Sequence, residues 1–386
     1  MAEAIAGWLS VACLTLAIIG GAYVLMAALI LPRSLRMLPE SARPSSAVTI
    51  LKPLHGAESG LYENLASFCV QDYPHPIQIL FGVQDAADPA ITVVQKLIAD
   101  YPALDLELVV DSRVHGPNRK VSNLTNLQTR IKHELVILAD SDMRVARNYL
   151  AQVASALQRE GVGIVTCLYR GVAAGGFWAR MAVMAIDCHF LPSVLVGLRI
   201  GLARPCFGST IALRRSVLAR IGGFEVFARY LADDNAMGEA VRRAGMEVAI
   251  LPVLVTHACT ERTFVDLWRH ALRSARTIRV VAPWGFAGSV VTHPLALGLL
   301  GVLLADFDRF ALTVLAAVAL CRLVLQSRVD HTLLVSPPRW WLSLLGDLFS
   351  FAAFVASFFI TSVSWRGHRY KVLSDGTLVS LNDAGR

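Results

Sequence analysis

The feature that most constrains this chain is the run Ile5–Leu31, which contains no charged residue. It exceeds the roughly 20 apolar residues that span a bilayer. The run is too long, and too poor in preceding basic residues, to read as a cleaved leader. Only Glu3 precedes it, whereas Arg33, Arg36 and Arg43 follow. Basic residues accumulate on the cytoplasmic side, so the start of the chain is expected outside and residue 33 onward inside. Residues 1–32 are therefore expected as a transmembrane helix, followed by a short linker over Pro39–Ser46.

Apolar runs return at the other end, at Val290–Ala305, Phe310–Leu325 and Trp341–Val363. The overall hydrophobic content is 55% and the mean hydropathy +0.54, too high for an ordinary soluble protein. Residues 288–365 are expected as transmembrane or re-entrant helices. Counting every run as a full span leaves the tail outside. Arg366, Arg369 and Lys371 favour the inside, so one run is expected to be re-entrant or interfacial and residues 366–386 to form a basic cytoplasmic-side tail. Arg322 and Asp347 fall within these runs, where charges usually face protein or water. Phe177–Leu202 is apolar but broken by Arg180, Asp187, His189 and Pro192, and reads as a helix pair at the membrane surface.

Between the apolar ends the composition is that of a soluble domain, and 386 residues allow about two domains. Strand candidates Val48–Leu51, Ile77–Val83, Leu106–Val110 and Leu135–Leu138 alternate with helix-length segments such as Ala90–Ala99 and Asn118–Lys132. This alternation implies an α/β domain over residues 47–280, with a mostly parallel sheet covered by helices. No GxGxxG follows the first strand and no GxxxxGK[ST] occurs, which argues against a dehydrogenase or a P-loop NTPase. The formal net charge of +7 has no accompanying basic–aromatic run of the kind single-strand readers use; it suits anionic lipid headgroups and an anionic substrate. Seven scattered cysteines without CxxC spacing argue for a reducing compartment and against a zinc site.

The chemistry-bearing residues are acidic. Leu135-Val-Ile-Leu-Ala-Asp-Ser-Asp142 reads as a buried strand ending in two carboxylates. In an extended chain positions i and i+2 face one side, so Asp140 and Asp142 are expected to converge on an ion such as Mg²⁺ or Mn²⁺ that holds a diphosphate; a polar turn is the plain alternative. Asp85 and Asp88 follow the strand Ile77–Val83, where ligands of open α/β sheets bind, though Asp88 also suits a helix N-cap. Lys120 precedes a helix whose N-terminus favours an anion and is expected to contact phosphate. Asp233 and Asp234 open a further helix, where the dipole stabilises carboxylates; the functional reading is a general base. His189 and His257 are ambiguous. No GxSxG elbow and no HExxH motif is present.

At these residues the chain resembles the ceramide glucosyltransferase-type enzymes. The runs Val83-Gln-Asp-Ala-Ala-Asp-Pro-Ala-Ile91, Lys120-Val-Ser-Asn-Leu124, Asp140-Ser-Asp-Met-Arg144 and Ala232-Asp-Asp-Asn235 look like that superfamily's D1, D2 and D3 signatures. Leu51-Lys-Pro-Leu-His-Gly56 and Ser364-Trp-Arg-Gly-His-Arg-Tyr-Lys371 extend the similarity over nearly the whole chain. The resemblance implies a GT-A fold and a membrane-bound inverting glycosyltransferase that uses a UDP-sugar and a divalent cation. It would place Asp85 and Asp88 on the nucleoside and Asp140 and Asp142 on the nucleotide and metal. Lys52 joins the donor-binding set, Asp234 is the base, and His189 stands near the donor or acceptor site. The family's last motif ends in Arg-Trp; here His270-Ala-Leu-Arg273-Ser274 keeps a cation for the leaving diphosphate but has Ser274 in place of the tryptophan.

Leu267-Trp-Arg-His270, Arg276-Thr-Ile-Arg279 and Thr292-His-Pro-Leu295 resemble most the bacterial hopanoid-biosynthesis branch, which implies N-acetylglucosamine transfer to bacteriohopanetetrol at the bacterial inner membrane, with the catalytic domain facing the cytoplasm. Ceramide glucosylation from UDP-glucose is the alternative, and a non-catalytic nucleotide-sugar binder a third reading. Few C-terminal apolar runs argue against a polymer-exporting synthase.

Overall fold

Alternating apolar residues and short parallel-type strands build the larger sheet. In a computed structural model, described over residues 1–35, 46–335, 339–360, 362–365, 368–373 and 375–381, the strands are β1 (Val48–Pro53), β2 (Ile77–Val83), β3 (Asp105–Val110), β4 (Leu135–Leu138), β5 (Met143–Arg144), β6 (Val162–Ala173), β7 (Ile211–Arg214) and β8 (Glu247–Cys259). Their order across the sheet is β3-β2-β1-β4-β7-β6-β8-β5. The pairs β1–β2, β2–β3, β1–β4 and β6–β8 are parallel, whereas β7 and β5 run against their neighbours. Six strands therefore point one way, and their C-terminal ends share one edge.

Both faces of the sheet are apolar, as the near-continuous hydrophobic runs require. Ile50, Ile79, Phe81 and Ile137 pack on one face, with the helices Leu61–Cys69, Ala90–Asp100 and Tyr149–Leu157 contributing to that core. Leu51, Leu80, Val136 and Leu138 face the other way, toward the helices Arg119–Gln128 and Asp233–Arg243. The chain runs from β1 through β2 to β3 on one side of β1, then returns to place β4 on the other. That reversal opens a crevice at the C-terminal ends of β1 and β4, the usual ligand position in such sheets.

A smaller sheet, β9 (Ser362–Trp365), β10 (His368–Val372) and β11 (Leu378–Ser380), with β10 and β11 antiparallel, ends the described chain. Its strands β10 and β11 belong to one compact unit with the described residues of 37–174 and 205–260. The second unit consists of Met1–Arg36, Gly175–Arg204 and Glu261–Ser364. Segments 177–202 and 264–280, which the sequence places in the sheet domain, thus group with the helical unit. Arg36, Arg43, Arg366 and most of the Pro39–Ser46 linker lie outside the described residues.

The helical unit contains the helices Ala2–Ser34, Phe264–Val281, Arg309–Thr332 and Trp340–Phe359. Phe177–Arg199, expected as a helix pair, is continuous through a π-helical turn at Ile186–Phe190. Among the described residues, four helices are long and apolar enough to cross a membrane, or up to five if the bent pair Pro283–Thr292 and Pro294–Leu304 (67°) is one span. Glycines let helices approach closely: a Cβ on Gly20 would run into the Val291 carbonyl, and one on Gly301 would lie 2.6 Å from Leu14. The Ser10 hydroxyl donates to the Gly301 carbonyl at 2.9 Å.

Candidate active site

The crevice between β1 and β4 is lined by groups that arrive from five segments of the sheet unit. After Leu138 the chain leaves the sheet, so Asp140 and Asp142 sit in a turn rather than on an extended strand. This corrects the expectation that both carboxylates project to one side. Asp140 Oδ1 meets Lys120 Nζ at 2.8 Å, whereas Asp142 Oδ2 meets His257 Nε2 at 3.0 Å. The divergence follows from β5, which pairs Met143 with His257 of β8. The Ala258 N–H also donates to the Asp142 carbonyl at 2.9 Å. Residues 139–142 therefore carry the chain from β4 to the far edge of the sheet, drawing the His257 end of β8 toward the crevice.

Lys120 lies in the first turn of its helix, where the dipole disfavours a cation. Carboxylates compensate: its ammonium bridges Asp140 Oδ1 and Asp233 Oδ2, the latter at 3.3 Å. Burial pushes the Lys120 pKa down, but the carboxylates of Asp140, Asp233 and Asp234 outweigh it and raise the value above the ordinary lysine range. Asn118 caps the same helix, its side chain accepting from the Val121 N–H at 3.1 Å. The Asn118 amide also donates to the Tyr230 carbonyl at 2.9 Å and to Asp233 Oδ1 at 3.2 Å.

Asp234 is held by main-chain donors. Its Oδ2 accepts from the Gly208 N–H at 2.9 Å, and its Oδ1 from its neighbour's N–H, Asn235, at 2.7 Å. Burial, then the adjacent Asp233 carboxylate, raises its pKa to about 6, against the opposing pull of Lys120. Burial also raises Asp140. Gly208 marks the point of convergence. A Cβ there would lie 3.1 Å from Asp140 Oδ2, 3.2 Å from Lys120 Nζ and 3.5 Å from Asp234 Oδ2. Three acid-rich or basic turns distant in sequence thus meet around a residue with no side chain.

Lys52, expected among the donor-binding residues, is wholly buried at 0% exposure. Its ammonium donates to the Asp140 carbonyl at 2.9 Å and lies 3.5 Å from the Phe68 ring centroid. Burial lowers its pKa to about 7 despite the nearby carboxylates of Asp140 and Asp142. It supports the Asp140 turn from beneath. Asp88 is likewise spent on structure. Its carboxylate accepts from the Gly56 N–H at 3.0 Å and from the Ala90 N–H at 2.8 Å, tying the loop after β1 to a helix start. Asp85 is exposed and accepts from the Ala87 N–H at 2.9 Å. It follows β2, two strands from β4, so about 10 Å separates their tracks in the sheet.

His189 and Arg273 belong to the helical unit. His189 Nε2 lies 2.6 Å from Asp347 Oδ1 and 2.8 Å from Arg322 Nη2. Arg322 also pairs directly with Asp347, and the His189 and His293 rings stack with centroids 5.6 Å apart. The two charges noted within the C-terminal runs therefore face each other inside protein. Arg322 Nε, Asp347 Oδ2, His293 Nδ1 and Ser343 Oγ are buried there without a hydrogen-bond partner among the described residues. Arg273 is half-buried on Phe264–Val281, its carbonyl accepting from the Thr277 hydroxyl at 2.8 Å.

Sequence reasoning did not single out Gly208, Tyr169 or Asn118 and left His257 undecided. Tyr169 of β6 lies 6.1 Å from the His257 ring and 6.0 Å from Phe207, centroid to centroid. Burial, then the carboxylates of Asp234, Asp142 and Asp140, raises its phenol pKa. Burial lowers the His257 imidazole, but Asp142 outweighs it and raises the value well above the ordinary one. Among the described residues no three His, Cys, Asp or Glu side chains are gathered closely enough to hold a metal by themselves. Asp142 provides a hard oxygen, which His257 fixes through its Nε2 at 3.0 Å. Mg²⁺ and related ions are commonly held by one or two carboxylates, with waters and substrate phosphates completing the shell, so this carboxylate fits such an ion.

A family model described as Glycosyl transferase family 21 matches residues 12–378. Ceramide glucosyltransferase 1 of Caenorhabditis elegans is 28% identical over 204 residues, covering 53% of this chain and 43% of that protein. A ceramide glucosyltransferase of Gibberella zeae is 32% identical over 125 residues, covering 30% of this chain and 24% of that one. The chain therefore spans less than half the length of these relatives. Among solved structures, a mannosyltransferase from Pyrobaculum calidifontis in complex with GDP-Man and Mn²⁺ is 22% identical. It covers 90% of this chain and 99% of that one, with a TM-score of 0.49.

Proposed function

Because the chain belongs to glycosyl transferase family 21, we propose that its sheet unit transfers a sugar from a UDP-sugar to the hydroxyl of a membrane lipid. The mixed, mostly parallel sheet is GT-A-like. The observation that carries the reading is the meeting of Asp140, Lys120 and Asp234 around Gly208, at the edge where open α/β sheets bind ligands.

In this mechanism Asp234 takes the proton of the acceptor hydroxyl as that oxygen attacks the anomeric carbon. Its pKa of about 6 suits a base at neutral pH, since it is ionised there yet still basic. Attack opposite the leaving UDP inverts the anomeric centre, so one catalytic carboxylate suffices, unlike the pair of a typical glycosidase. Lys120, charged and fixed between two carboxylates, offsets negative charge as the glycosidic C–O bond breaks. Asp142 would hold a divalent cation, Mg²⁺ or Mn²⁺, together with substrate phosphate and water, and the ion when bound neutralises the diphosphate; Asp140 is assigned to the nucleotide. Tyr169 walls the hollow beside His257, Lys52 holds the Asp140 turn, and Asp85 is assigned to the nucleoside. Arg273 is assigned as a further cation for the diphosphate.

The acceptor is proposed as bacteriohopanetetrol, with N-acetylglucosamine as the sugar, on the local resemblance in Leu267–His270 and Thr292–Leu295. The names of the curated relatives favour a second acceptor, ceramide, with glucose as the sugar. His189, Arg322, Asp347 and His293 form a polar patch in otherwise apolar helices, and their uncompensated atoms suit the hydroxylated end of a lipid. Arg33 after the first helix supports a cytoplasmic catalytic unit at a bacterial inner membrane. The test offers UDP-N-acetylglucosamine or UDP-glucose, with bacteriohopanetetrol or ceramide, to the purified full chain and reads products by mass spectrometry. One pairing should give a glycolipid that Asp234→Asn abolishes. No product from any pairing, or undiminished product from the variant, overturns the proposal.

A further inference from the structure

The C-terminal tail folds against the segment that leads into Asp233 and Asp234. In β10 and β11, Val372 stands opposite Leu378. The turn between them is shaped by Asp375, whose Oδ1 accepts from the Thr377 N–H at 3.0 Å and its hydroxyl at 2.7 Å. Gly376 completes the turn at φ +83°, a conformation that favours glycine.

Two main-chain bonds reach out from this hairpin. The Leu231 N–H donates to the Gly376 carbonyl at 3.0 Å, and the Leu378 N–H donates to the Arg229 carbonyl at 2.7 Å. Tyr230 and Thr377 form an isolated antiparallel bridge between them. In such a bridge the groups of residues 229 and 231 face the partner, while the carbonyl of residue 230 points away. That carbonyl accepts from the Asn118 amide, which also reaches Asp233. Residues 229–231 are therefore gripped from two sides, by the hairpin and by the N-cap of the helix that carries Lys120.

The larger sheet is complete without this hairpin, whose strands form a separate sheet. Among the described residues, two main-chain bonds join residues 368–381 to the rest of the unit, at Arg229 and at Leu231. Leu378 and Val372 are buried, at 5% and 4% exposure, so the hairpin is packed as well as hydrogen-bonded.

We propose that the C-terminal hairpin is a positioning element for transfer: it fixes the backbone of residues 229–231 so that Asp233 meets Lys120 and Asp234 meets Gly208. Leu378 and Asp375 are its positioning residues. The inference rests on the reading of Asp234 as the base.

The experiment measures kcat and donor KM of the full-length purified protein, with the thermal midpoint as a check on folding. Leu378→Pro removes the N–H that holds Arg229. It should lower kcat about tenfold or more while leaving donor KM within about twofold, as expected when a catalytic group is displaced by a fraction of an ångström. Asp375→Ala, an exposed change at the turn, should lower kcat by about threefold for the same reason, and Asp375→Asn, which keeps an acceptor oxygen, should restore it. Unchanged kcat in folded Leu378→Pro overturns the inference. So does a joint fall of kcat, donor affinity and thermal midpoint, or equal impairment by both Asp375 variants. If Leu378→Pro does not fold, the two Asp375 variants decide. Asp234→Asn is run in parallel: full activity there sinks the base assignment itself, whereas its loss alongside intact hairpin variants sinks only the hairpin's role.

Discussion

A methyl group placed on residue 208 probes the convergence of the site directly. In Gly208→Ala the new carbon would lie 3.1 Å from Asp140 Oδ2 and 3.2 Å from Lys120 Nζ. Both separations are about 0.3 Å inside comfortable contact. Neither group retreats freely, because Lys120 is already paired with Asp140 at 2.8 Å and with Asp233 at 3.3 Å. Asp234 Oδ2, at 3.5 Å from the new carbon, remains bound to the Gly208 N–H, so the spacing between Asp140 and Asp234 must change. A misplacement of 1 Å costs about 10²-fold in rate, so a few tenths of an ångström should lower kcat by roughly fourfold to tenfold. The backbone at residue 208 is not left-handed, so folding stability should shift by less than about 1 kcal/mol. Initial rates of UDP release with the lipid acceptor, alongside thermal unfolding, read both quantities. Gly208→Val should be worse than Gly208→Ala. A kcat within about 1.5-fold of the parent in Gly208→Ala, set against the misplacement cost, would show that transfer does not pass among these three groups.

Four further outcomes follow from the same geometry. Log kcat against pH should show an acid limb near 6, activity falling as pH drops because Asp234, raised to about 6, becomes protonated and cannot accept the hydroxyl proton; a flat profile down to pH 5 refutes its role. Lys52→Met should reduce kcat about tenfold by releasing the Asp140 turn, with a thermal midpoint close to the parent's; an unchanged rate would show that the turn holds without it. His257→Ala should raise the divalent-ion concentration needed for half-maximal donor binding by about tenfold or more, measured calorimetrically with UDP alone. In the helical unit, Arg322→Met should cost about 3 kcal/mol by leaving the buried Asp347 with His189 as its remaining partner, and Arg322→Met/Asp347→Leu should recover much of it; equal loss in both would show that the pair adds nothing.

Much of the sheet unit was legible because strand periodicity and helix starts are local. The residues of β1, β2, β3 and β4 announce themselves by short apolar runs, and the helix that carries Lys120 by its length between two of them. Asp140 and Asp234 were legible as acids at strand and helix ends. Their partners were not, because pairing across the fold has no local signal. His257 stands beside Asp142 only because β5 joins the far edge of the sheet opposite β8. Gly208 looks like any loop glycine until three charged side chains crowd the space its missing Cβ would fill. Lys52, given to the donor set by the resemblance, is buried beneath the Asp140 turn, and of the two readings open for Asp88 its contacts match the one at a helix start.

The order of residues by itself determined the apolar helices, the alternation that builds a mostly parallel sheet, and the carboxylates at its ends, since each depends on neighbours within a few positions. Only the tertiary structure decided which carboxylate meets Lys120, which meets His257, and that the last strands of the chain brace the turn before Asp233. Those choices depend on strand order, on the crossing from β4 to β5, and on main-chain hydrogen bonds between residues more than a hundred positions apart, which no local pattern encodes.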